Sequence, residues 1–200
     1  MIRYLTMLAL PTFLCAACQT NTIELEFLTD NADDSGGSAG TADDDDDDVM
    51  PGVEGQWLLA IDSVLGPGLP FQFLVTAEAS EADVYTITMQ SLSLDVGSST
   101  TPRQLVGEPH VYFGVPLPPG ADLGLFTGEI LIPGVANPVT GTDVFVDMLL
   151  SGGAVGDPFC GMVTGAVTQP QVLDLAGSTF GTVKVTGPDA LPATFPASCG

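Results

Sequence analysis

The sequence predicts an all-β domain over residues 51–200, either an antiparallel β-sandwich or an up-and-down β-barrel of about eight strands. Three observations predict it. Apolar residues make up 45% of the chain and charged residues 14%, a balance that suits a packed domain rather than a disordered chain. Gly and Pro number 24 and 16, the punctuation of many short strands joined by tight turns. Apolar side chains alternate with a period of two, and no long stretch carries a capped 3.6-residue period.

The first strand is expected at Gly55–Val64, with Trp57, Leu59 and Ile61 on one face. The second, Pro70–Glu78, aligns Phe71, Phe73 and Val75. Asp83–Leu94, His110–Val115 and Leu123–Ile132 follow. In Asp143–Leu150, one row is Val144, Val146, Met148 and Leu150, and the other is Phe145, Asp147 and Leu149. Phe159–Val167 and Ser178–Thr186 complete the set. Gly66-Pro67-Gly68, Pro116 to Gly120, Pro133-Gly134, Asn137-Pro138 and Gly187-Pro188 mark turns. Asn137–Thr142 and Leu175–Gly181 read as tight turns entering strands, with a ligand loop as the alternative. Gly187 to Gly200 carries Pro188, Pro192 and Pro196 and reads as coil.

Residues 1–17 have another character. Arg3 supplies a single positive charge, and Tyr4 to Ala17 is mostly apolar, interrupted by Pro11. The stretch falls short of the ~20 apolar residues a spanning helix needs and fits a secretory signal. Ala16 and Ala17 then lead into Cys18. This resembles the lipobox of bacterial lipoproteins, with one departure: Cys15 stands where Leu is usual. The resemblance implies that Cys18 is the lipid-attachment residue and the first residue of the mature protein. It also implies membrane attachment through that lipid, in the cell envelope, at the outer membrane or cell surface. An ordinary secretory signal cut elsewhere is the alternative.

Residues 18–50 form an acidic tether. Glu24, Glu26, Asp30, Asp33, Asp34 and Asp43 to Asp48 occur without a base, so they repel one another and bury no core. Such a segment spans roughly 30 Å root-mean-square. A short strand using Ile23, Leu25, Phe27 and Leu28 is a minor alternative. The Asp run lacks the spaced acids and mid-loop Gly of an EF-hand, so weak divalent-cation attraction is the expectation.

The net charge of −22, with Arg3, Arg103 and Lys184 as the bases, excludes nucleic acid, whose binding needs counterion release by Lys and Arg. It equally disfavours electrostatic docking on anionic lipid. With Cys15 removed and Cys18 acylated, Cys160 and Cys199 remain in an oxidising compartment, and a disulfide between them is expected. The alternatives are two free thiols or, with His110, an incomplete zinc shell. No metal site and no cofactor are implied.

Gly55-Gln56-Trp57 is similar to the Gly-Xaa-Trp signature of lipocalins and lipocalin-like bacterial domains. That resemblance implies a barrel with the Trp across its closed end, a base packed against it, and an interior open to an apolar ligand. Arg103 and Lys184 are the bases available for that role. A core Trp in any β-domain is the simpler reading.

No nucleophile elbow, phosphate loop or His-Glu-Xaa-Xaa-His occurs. His110 reads as a surface residue. Asp62, Glu129, Asp143 and Asp147 are the domain acids from which a glycoside-hydrolysing pair would have to come. Asp147 interrupts an apolar strand, and an outward-facing position explains it. No catalytic residue is assigned. The expected function is a non-enzymatic binding or structural β-domain on an envelope lipoprotein, with an unknown ligand or protein partner. A lipocalin-like carrier of an apolar molecule and a lipid-anchored hydrolase are the alternatives.

Overall fold

The computed structural model describes residues 52–199, apart from Pro119, Val155 and Asp157. The signal, Cys18 and the tether with Asp43–Asp48 lie outside the described residues.

The domain is all-β. Its strands are β1 (Gly55–Asp62), β2 (Phe71–Glu81), β3 (Val84–Leu94), β4 (Pro102–Pro116), β5 (Asp122–Ile132), β6 (Val144–Ala154), β7 (Phe159–Gln169), β8 (Leu173–Asp174) and β9 (Ser178–Val185). Two single 3-10 turns, Gly134–Ala136 and Pro188–Ala190, are the helical pieces described. The sheet runs β4-β3-β2-β1-β9-β7-β6-β5, and every pairing is antiparallel. One strand of the prediction is corrected: His110–Val115 is the second half of the fifteen-residue β4. Pro102, Gly107 and Pro109 obscured its first half, where the register shifts let those residues sit in a strand.

β7 pairs β9 along its first half and β8 near its end. β8 and β9 are therefore two pieces of one strand, interrupted at the turn Leu175–Gly177. The amide of Leu175 donates to Gly165 O and carries the pairing across the break. Counted this way there are eight strands in simple up-and-down order. They form one nearly closed, barrel-like sheet rather than two stacked sheets. β4 and β5 approach each other without pairing and leave a seam. Asn137 builds the β5–β6 loop at one end of that seam. Its Nδ2 donates to Thr142 O and Thr140 Oγ1, and its Oδ1 accepts from the amides of Val139 and Thr140.

Alternation fills the interior. Leu59, Ile61, Phe73, Ile87, Met89, Val146, Met148, Leu150, Val163 and Phe180 are buried in a single cluster. The neighbouring residues of β1 ought to face water, yet Leu58 and Ala60 are completely buried. Leu58, Leu74 and Leu92 make a second apolar cluster on the outside, covered by Leu191 and Phe195 of the C-terminal tail. Arg103 clamps this tail: Nη1 donates to Pro192 O at 2.6 Å, and the guanidinium lies 4.8 Å from the Phe195 ring centroid. Thr179 donates to Ala197 O. Gly181 lets the chain at Pro196 approach so closely that a Cβ would meet its backbone. The tail ends in the Cys160–Cys199 disulfide, as expected.

Candidate functional site

The end of the barrel where β1 begins is aromatic. The rings of Trp57, Phe159 and Phe180 stack edge to face, with centroids 5.8 and 6.1 Å apart in succession. Trp57 Nε1 donates to Val53 O at 2.8 Å, so the indole is satisfied although buried. Lys184 of β9 extends over the indole, its Nζ 5.4 Å from the ring centroid. Of the two bases the sequence offered for this position, Lys184 takes it and Arg103 does not. Arg103 lies in the outer clamp, at a left-handed φ of 61°. Burial lowers its pKa from the ordinary arginine value.

Beneath these rings is an interior cavity of about 50 Å³, lined by Trp57, Val75, Ala77, Met89, Leu125, Leu150 and other apolar side chains. Thr182 is the one polar lining residue, and its hydroxyl is already donated to Phe159 O. Ligand pockets occupy roughly 300–1,000 Å³, and an apolar cavity of about 150 Å³ is what admits a benzene ring. This cavity is therefore too small for such a ligand, whereas at the other end of the barrel a more open pocket of about 270 Å³ is lined by Phe71, Val144, Val167 and loop residues such as Leu65 and Pro170. Tyr112 of β4 packs against this core beside the seam. Its hydroxyl is buried without a hydrogen-bond partner, and burial pushes its pKa up to about 12.

The predicted acids divide into two pairs. Asp62 accepts the amide of Gly68, and Asp143 accepts the amide of Gly134, so both build loops. Glu129 and Asp147 come together as direct cross-strand partners on β5 and β6. Val146 and Met148 point inward, which turns Asp147 outward as expected. The two acids stand side by side on one face, not across a cleft as glycoside hydrolysis requires. His110 is half-buried opposite Met89, on the inward-facing side of β4 rather than on open surface. Cys160 and Cys199 are consumed by their disulfide. Among the described residues, no group of three or more His, Cys, Asp or Glu is placed to hold a metal ion, and no helix is long and apolar enough to cross a membrane.

Around Glu129 and Asp147 the outer surface of β5–β6–β7 is bare and apolar. Phe126 is 62% exposed, Met162 56% and Leu149 39%. A shallow groove of about 270 Å³ runs between Phe126, Asp147, Leu149, Thr164 and Thr168. A wider cleft of about 450 Å³ opens between the β3–β4 and β5–β6 loops, lined by residues such as Leu94, Val96 and Val135. The sequence reading did not single out Phe126. Alternation alone is ambiguous there: Leu123 and Leu125 put Phe126 outside, Ile130 and Ile132 put it inside, and the bulge between Phe126 and Glu129 decides for outside.

No family model, no curated protein and no solved structure matches this chain.

Proposed function

We propose that this is a non-enzymatic envelope lipoprotein, anchored through lipid on Cys18, whose barrel is a rigid scaffold that binds a partner with its outer surface. The observation that carries the reading is the contrast between inside and outside. The cavity beneath Trp57 leaves about 50 Å³, while large apolar side chains of β5, β6 and β7 stand in water. Contiguous exposed apolar side chains are a mark of interaction sites, and Phe126 and Leu149 are direct cross-strand neighbours.

A lipocalin-like carrier is the second reading. It is favoured by the up-and-down strand order and by Lys184 over Trp57. It requires the cavity beneath Trp57 to expand several-fold, or the ligand to enter by the pocket of about 270 Å³ at the other end.

Native mass spectrometry of protein extracted from its own membrane tests both readings. The first expects a Cys18-dependent diacyl mass and no other retained small molecule. A retained apolar ligand would overturn it in favour of the carrier. An unlipidated mature mass would remove the anchor.

A further inference from the structure

The outer face of β5–β6–β7 holds a feature that folding alone does not explain. Glu129 and Asp147 are directly opposite each other, and like charges so placed are destabilising. Thr168 relieves one of them, its hydroxyl donating to Glu129 Oε2 at 2.8 Å. Among the described residues, no base and no hydrogen-bond donor reaches the carboxylate of Asp147. The pair lies beside Phe126, which stands directly across from Leu149. The groove of about 270 Å³ joins the carboxylate to both apolar side chains. On the outer face of β1–β3, by contrast, the C-terminal tail covers the apolar residues.

We propose that this groove docks a segment of a partner protein that presents a Lys or Arg between apolar side chains. The proposal rests on the reading of the barrel as an outward-facing binding module. A cationic head between Asp147 and Glu129 relieves their repulsion, and the Phe126 ring offers it a π-face. Apolar neighbours on the segment cover Phe126 and Leu149 and remove them from water. A second copy of this chain is a poor occupant. Its two described bases are committed, Arg103 to the tail and Lys184 to Trp57. An anionic membrane surface is repelled by the net charge of −22.

The test uses the full-length chain and two fluorescein-labelled eight-residue peptides, one alternating Val and Lys, the other Ser and Lys. Fluorescence anisotropy reads binding. The Val–Lys peptide is expected to bind, and Phe126→Ser and Asp147→Asn are each expected to weaken it about tenfold. Glu78→Gln, an exposed acid of β2, leaves it unchanged. The Ser–Lys peptide reports general attraction to the acidic chain and is indifferent to Phe126→Ser. A melting temperature at or above that of the wild type shows that Asp147→Asn is folded.

No binding of the Val–Lys peptide, or binding that ignores both groove substitutions, overturns the proposal. So does a dimer in sedimentation that Phe126→Ser abolishes, since the occupant is then a second copy. A ligand retained inside the barrel instead overturns the outward-facing reading, and it is seen by mass whatever the peptides do.

Discussion

Replacing both Cys160 and Cys199 by Ser is the most informative single perturbation of stability. The bridge joins residues 39 apart in sequence. On the chain-entropy model, closing such a loop removes about 13 cal/mol/K from the denatured ensemble, or about 4 kcal/mol at 25 °C. That is a large share of the 5–15 kcal/mol by which domains are stable. In the folded protein the tail has other holds: Leu191 and Phe195 on the outer cluster, Arg103 on Pro192, and Thr179 on Ala197. The native state of the double variant therefore keeps its tail docked, and the loss comes through the denatured state. Urea denaturation is the assay. The expected result is a loss approaching 4 kcal/mol, a melting temperature lower by about 8–16 °C, and a steeper denaturant dependence, because the freed denatured chain exposes more surface. Hydrogen exchange of residues 187–199 stays slow in the same variant. A loss below about 1 kcal/mol, or a tail that exchanges freely, would refute this reasoning.

Three further outcomes follow from particular side chains. Tyr112→Phe removes a buried hydroxyl that has no partner, so thermal denaturation at pH 7 should show stability unchanged or raised by about 1 kcal/mol. The pKa of Tyr112 is raised in the fold, so its contribution is intact below pH 10 and is lost as pH climbs towards 12. The wild type therefore loses more stability than Tyr112→Phe across that window, and equal losses would contradict the burial of the hydroxyl. Ala77→Val places two methyl groups into the cavity of about 50 Å³ and should raise stability by about 1 kcal/mol in urea titration, whereas a loss would mean the cavity is too constrained to accept them. Gly165→Ala drives a Cβ into the carbonyl of Asp147 at a φ of 122°. A loss of about 2–4 kcal/mol or failure to fold is expected, and a near-neutral effect would show that β6 and β7 separate easily there.

Local pattern is what the sequence determined by itself. The alternation of Val144, Val146, Met148 and Leu150 against Phe145, Asp147 and Leu149 requires a strand with one wet face, and β6 has that form. Seven of the eight expected strands stand within a few residues of their places because each is written in consecutive residues. The disulfide followed from counting thiols, a constraint that needs no geometry. β4 was half missed because a local signal cannot tell a proline that ends a strand from one accommodated at a bulge.

Tertiary structure decided whatever depended on residues distant in sequence. Sheet closure required β9 to return beside β1, some 120 residues after it. The choice of Lys184 over Arg103 for Trp57 followed from that pairing, since Trp57 and Lys184 are direct partners in its register. Leu58 reads as a solvent-facing residue of β1 until the tail is laid across it. Glu129 and Asp147 read as two unrelated acids until β5 and β6 fix their register. Periodicity specifies which way a side chain points, but what it points at is set by chain elements that reach it only when the barrel closes.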